Sequence, residues 1–153
     1  MPVVLLDTML LVLLTVGTAS REYIRKHKRL QHFAVTDFDL LIDNVSRMAD
    51  VIVTPNTLTE TSNLIKMIGE PARSHIAVTF RHLISSLEER YVTSKEAAED
   101  LEFPRLWLTD SGMLRELSNG HILMTTDFAL YDAALRRGFN ALNFNNLRAK
   151  QIT

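Results

Sequence analysis

Four acidic residues carry the chemistry that this sequence can offer. Asp7 directly follows the apolar run Val3-Val4-Leu5-Leu6, and Glu60 ends Thr57-Leu58-Thr59-Glu60. Asp110 stands in Leu108-Thr109-Asp110-Ser111, and Asp127 closes Met124-Thr125-Thr126-Asp127. Two carboxylates about 5 Å apart repel by about 3 kcal/mol at an effective dielectric near ~20, so a converging set needs protons or a cation. Oxygen ligands favour Mg²⁺ or Mn²⁺, with water in the remaining positions. Such a cation lowers the pKa of a bound water and screens phosphate oxygens, which suits phosphodiester hydrolysis. Three of the acids also have a plainer reading. Glu60 completes a capping box opened by Thr57, and Asp110 and Asp127 are good helix caps. Asp7 differs, because its apolar run calls for no cap. A carboxylate there costs several kcal/mol unless a partner neutralises it.

The elements that must position these acids follow from hydrophobic period and breaker residues. Val3–Leu6, Val51–Val53, Ile122–Met124 and Ala141–Phe144 read as strands, the first as a central parallel strand buried on both faces. An apolar helix is expected over Met9–Thr18, and a Thr36 cap opens a helix carrying Phe38, Leu41, Ile42, Val45, Met48 and Ala49. Pro55 and Thr57 open the next, ended by Gly69, and a longer one follows Pro71 as far as Leu87. Thr93–Leu101 reads as a short helix and loop. Thr109 or Asp110 caps a helix through Leu117, and Asp127 begins one that ends at Gly138. Alternating strands and helices predict one α/β domain over residues 1–153, three layers deep, around a mostly parallel sheet of four or five strands. Ligands of such sheets bind beyond the carboxyl ends of the strands. Asp7, Glu60 and Asp127 are thereby aimed at one rim, and Asp110 reaches it from a helix N-terminus.

Composition narrows the alternatives. The 153 residues are 46% hydrophobic and 23% charged, the balance of a globular domain. There is no cysteine, which excludes disulfides, thiolate metal sites and a cysteine nucleophile, and accords with a reducing cytoplasm. With a net charge of −1, no global basic field attracts nucleic acid. A local patch must hold any strand. Arg21, Arg25, Lys26, Lys28 and Arg29 are the candidates for phosphate contacts, with a solvated helix face as the other reading. Arg136, Arg137, Arg148 and Lys150 form a second basic cluster open to the same two readings.

Several other signals are weaker. The apolar stretch Val3–Val16 before Gly17-Thr18-Ala19 imitates a leader. However, no Lys or Arg precedes it, Asp7 interrupts it, and it is too short to span a bilayer. No membrane association is expected. His75 and His82 are seven residues apart on one helix face with no acid at ligand spacing, so packing or surface placement is expected. Arg21 and His27 fit a loose Arg-x5-His pattern of helical ribonucleases, at odds with the strands. Phosphate-loop, dinucleotide and nucleophile-elbow motifs are missing.

The four acidic blocks, with Ala133-Ala134-Leu135-Arg136-Arg137-Gly138-Phe139-Asn140-Ala141-Leu142-Asn143-Phe144, resemble the PIN-domain nucleases nearly end to end and in that family's order. The resemblance implies a Mg²⁺- or Mn²⁺-dependent endoribonuclease, often the VapC-type toxin of a bacterial toxin–antitoxin pair. It places Asp7, Glu60, Asp110 and Asp127 at the metal or its water, and Thr125 as a supporting hydroxyl. RNA is the implied substrate, and an antitoxin protein and a second copy of the chain are partners it admits. A catalytically silent PIN-like module that binds RNA or protein is the alternative. Two departures stand out. The segment Arg21–Asp50 is longer than in the shortest toxins, and the next acid after Asp127 is Asp132, over one helical turn on, which is held in reserve.

Overall fold

The apolar run Val3–Leu6 forms β1, the middle strand of a five-stranded, all-parallel sheet. A computed structural model describes residues 1–151. The other strands are β2 (Asp50–Val53), β3 (Glu88–Glu89), β4 (Ile122–Thr125) and β5 (Ala141–Asn143), ordered β3-β2-β1-β4-β5. Val4 pairs with Val51 on one side and Ile122 on the other. Among the described residues nine helices flank the sheet: α1 (Thr8–Ala19), α2 (Arg21–Lys26), α3 (Val35–Ser46), α4 (Pro55–Ile65), α5 (Ala72–Ser86), α6 (Ser94–Ala98), α7 (Phe103–Leu117), α8 (Phe128–Arg136) and α9 (Phe144–Gln151). A 3-10 turn at Lys28–Leu30 joins α2 to α3. This is the three-layer α/β architecture expected from the sequence.

The two-residue period of the strands divides the core between the two faces. Val4 and Leu6 join Val51, Val53 and Met124 in a cluster with α1 and Ile76 of α5. Leu5 joins Ile52 and Leu123 on the opposite face, against Met113, Leu114 and Leu117 of α7 and Leu130 of α8. Eight consecutive residues of α1, Leu10–Gly17, are buried, so this helix is apolar all round because it is enclosed all round. Gly17 is needed there: a Cβ at this position would lie 2.2 Å from the Phe38 ring of α3. The stretch that imitates a leader is thus β1 and an interior helix. No described helix is long and apolar enough to cross a membrane.

Several expected boundaries move. The Thr36 cap is not used: α3 starts at Val35, because the Asp37 carboxylate accepts from the Ala34 N–H at 2.7 Å. The capping box at Thr57 is also overturned. Thr54 caps α4 through the Thr57 N–H at 3.2 Å, and the helix ends at Ile65 rather than Gly69. β3 and α9 were not anticipated, and Phe144 begins α9 instead of ending β5.

Candidate active site

The carboxyl ends of β1 and β4 bring the first residues together. Asp7 is 6% exposed and caps α1, its Oδ1 accepting from the Leu10 N–H at 3.0 Å. This corrects the expectation that no cap is needed there: the chain turns from strand to helix with no intervening loop. Asp7 Oδ2 accepts from the Thr126 N–H at 3.0 Å and from the Thr125 hydroxyl. Burial pushes the Asp7 carboxyl above the usual carboxylate range, against the pull of these donors. Thr125 itself is buried at the end of β4, and its Oγ1 also accepts from the Asp127 N–H at 2.9 Å. One hydroxyl therefore ties two acids into register. Asp127 caps α8 through the Leu130 N–H at 3.0 Å, so its capping reading holds alongside its place at the rim.

The other two acids come from helices. Glu60 lies in the second turn of α4, where its carboxylate accepts from Thr8 Oγ1 at 3.1 Å and from the Thr109 hydroxyl. Asp110 was expected to open a helix with Thr109, but α7 already begins at Phe103. The helix breaks at Trp107 (φ 64°, ψ −163°), in a backbone region that side chains rarely occupy, and resumes just before Asp110. The Asp110 carboxyl is pushed up to about 7, by burial first and then by Asp127, Asp7 and Glu60. All four acids line one cavity of about 390 Å³ with Thr8, Met9, Leu64 and Thr126, and no Lys or Arg lines it.

This donor set fits a hard divalent cation in kind: oxygen ligands only, with like charge that no basic side chain of the lining offsets. The carboxylates are nevertheless turned toward their own hydrogen-bond donors. Among the described residues no three acids or histidines gather into a ready metal site.

The remaining sequence candidates lie elsewhere. Asp132 pairs with Arg136 at 2.9 Å and does not line the cavity. Arg21 pairs with Asp39, while Lys26 and Lys28 line a different depression. Arg25 and Arg29 are exposed and line neither. In the second basic cluster Arg136 also approaches Glu102 at 3.3 Å, Arg137 holds the buried Asp100, and Arg148 bonds Asp37 at 3.1 Å. His75 meets Tyr23 edge-on, its Nδ1 3.2 Å from the hydroxyl, and His82 is exposed. Sequence reasoning missed Thr8 as a partner of Glu60. Its place beside Asp7 at a strand end was the available signal. No protein-family model, curated protein or solved structure matches the chain.

Proposed function

We propose that the chain is a Mg²⁺- or Mn²⁺-dependent endoribonuclease of PIN type. The observation that carries this reading is the convergence of Asp7, Glu60, Asp110 and Asp127 on one cavity, with Asp110 pushed to about 7 by burial and the other three. Asp7 and Asp110 would hold the cation most closely, since theirs are the carboxyls pushed upward at the rim and an added positive charge relieves them most, with Glu60 and Asp127 completing its surroundings. Once bound, the cation supplies an acidified water and screens the phosphate oxygens. The chain's own residues orient the ligands. Thr125 fixes the carboxylate plane of Asp7, and Thr8 and Thr109 fix that of Glu60. Of these donors Thr8 lines the cavity itself, and a bound cation would draw the carboxylates partly away from them.

A cytoplasmic setting accords with the lack of cysteine. On this reading the chain is the toxin of a toxin–antitoxin pair, with an antitoxin and a second copy of itself as protein partners. A second reading has one specific observation in its favour. The carboxylates of Asp7 and Glu60 are satisfied by donors of the chain itself, as in a silent module that binds RNA or protein.

Incubation with structured RNA decides between the two. Cleavage in Mg²⁺ that stops in excess EDTA and is lost in Asp7→Asn supports the nuclease. RNA that stays intact in Mg²⁺ and in Mn²⁺ overturns it in favour of the silent module. Asp7→Asn keeps the α1 cap but turns its amide NH2 toward the Thr126 N–H, so Asp127→Asn, whose single cap bond an Asn oxygen can accept, is run beside it to separate charge from folding.

A further inference from the structure

We propose that the depression between the 3-10 turn and the C-terminal end of α4 binds the phosphate backbone of RNA through Lys26, Lys28, Lys66 and Arg73. The identity of the strand rests on the nuclease reading above, whereas the site rests on its own charge and geometry. The depression is about 360 Å³ and collects these four cations from α2, the turn, the α4 cap and α5. Elsewhere most arginines are paired: Arg21, Arg47, Arg90, Arg105, Arg136, Arg137 and Arg148 each face a carboxylate. Arg25, Arg29, Arg81, Arg115 and Lys95 make no ion pair among the described residues, but they are not gathered around this hollow. Among the described residues Lys26, Lys28 and Lys66 make no ion pair or side-chain hydrogen bond. Arg73 has only Glu70 at 4.0 Å, and the Glu70 carboxylate is already held by the Ser74 N–H at 2.7 Å. Three uncompensated lysines and an arginine around one hollow repel one another, and an anion relieves that repulsion.

Two further features point to a strand rather than scattered surface charge. His27 is 1% exposed and uses both ring nitrogens. Its Nδ1 accepts from the Arg29 N–H at 3.1 Å, so its Nε2–H donates to the Ile65 carbonyl, 3.0 Å away at the last residue of α4. That clamp fixes Lys26 and Lys28 against Lys66, which makes His27 a positioning residue. The helix then connects the depression to the acidic cavity. Glu60 and Leu64 line the cavity, and Lys66 follows Glu60 by about 9 Å along the helix axis. A strand reaching both places would have to curve around α4, because six residues at about 100° each put Lys66 about 120° around the axis from Glu60.

The test uses the full chain in EDTA, where cleavage plays no part, with a labelled single-stranded RNA of about 12 nucleotides. Anisotropy across a salt series reads the slope of log Kd against log salt. Joint Lys28→Gln and Lys66→Gln substitution should flatten that slope by about 1.4, at about 0.7 for each lost single-strand contact. Arg21→Gln, a cation already paired with Asp39, should leave it unchanged. His27→Gln should weaken binding in the lysine-intact chain and add nothing to the double variant, because it acts through the same contacts. An unchanged slope in the double lysine variant overturns the proposal. So does equal flattening by Arg21→Gln, or displacement of the RNA by poly-glutamate at equal charge, which would make the hollow an acidic-protein site. If the slope behaves as stated but Mg²⁺ elicits no cleavage, the nuclease reading fails and the binding site stands.

Discussion

Asparagine accepts a hydrogen bond at a helix N-cap as well as aspartate does. Asp127→Asn therefore keeps the bond from the Leu130 N–H and deletes only a charge from the rim. The metal-free variant should be as stable as the parent, or more stable by about 1 kcal/mol after solvent screening, when urea unfolding is compared. RNA cleavage should fall by at least about 100-fold, the scale of a lost electrostatic group. Parental cleavage by the variant would remove Asp127 from the chemistry. Thr125 makes the complementary case. Thr125→Val strips an acceptor from the Asp127 N–H and a donor from the buried Asp7. It should cost about 1–3 kcal/mol, and Thr125→Ser should recover most of that in the same unfolding experiment. Asp7 and Asp127 were readable in the sequence because each lies at or just beyond the end of an apolar run, whereas Thr125 was marked only by the resemblance to the PIN-domain nucleases. The bonds that hold Glu60 were not readable, since Thr8 and Thr109 lie 52 and 49 residues away in sequence; the place of Thr8 beside Asp7 at a strand end marks the residue but not its partner.

At the scale of elements, the break inside α7 is the feature that aims Asp110. Trp107 holds a backbone conformation that favours glycine, and its ring meets Phe103 edge-on with centroids 5.8 Å apart. Trp107→Ala loses the ring contact and keeps the strained backbone, whereas Trp107→Gly loses the contact and relieves the strain. The glycine variant should be the more stable of the two by about 1 kcal/mol or more in thermal unfolding. The reverse order would show that the conformation carries no strain. This break could not be read from Phe103-Pro104-Arg105-Leu106-Trp107, where no glycine or asparagine announces a positive φ. β3 escaped for a different reason. It consists of Glu88 and Glu89, both exposed, at the edge of the sheet, and so carries neither an apolar run nor an alternation. The central strands and α1 were legible because burial on every side leaves an unbroken apolar record.

For the whole molecule, the crowded acids make stability depend on pH in a predictable direction. The Asp110 carboxyl titrates near 7 when folded and metal-free, against 3.8 in an unperturbed chain. The folded state holds that proton more tightly, so stability is highest below about pH 4 as far as this group is concerned. It falls as pH rises toward about 7, by up to about 4 kcal/mol. Asp7, raised by burial, acts in the same direction. Asp100 opposes them at the acid end, because its bond to Arg137 holds it below the ordinary range and is lost as pH falls further. Metal-free melting temperature should therefore decline from about pH 5 to pH 7. Mg²⁺ binding the ionised set should raise it by mass action, and by more at pH 7 than at pH 5. A Mg²⁺ effect that is absent, or equal at both pH values, would argue against a shared cation site.

The order in which the chain is made has a consequence for when its chemistry can begin. Asp7 is synthesised well before the hydroxyl that holds it, since Thr125 lies 118 residues later in the chain. At about 5–20 residues per second, that interval is roughly 6–24 seconds of translation. Until it has passed, β1 lacks its β4 neighbour, Asp7 lacks two of its three donors, and Asp127 does not yet exist. The emerging polypeptide is inert by construction. Whatever the four acids do together, they do only once Thr125 and Asp127 have been made and β4 has paired with β1.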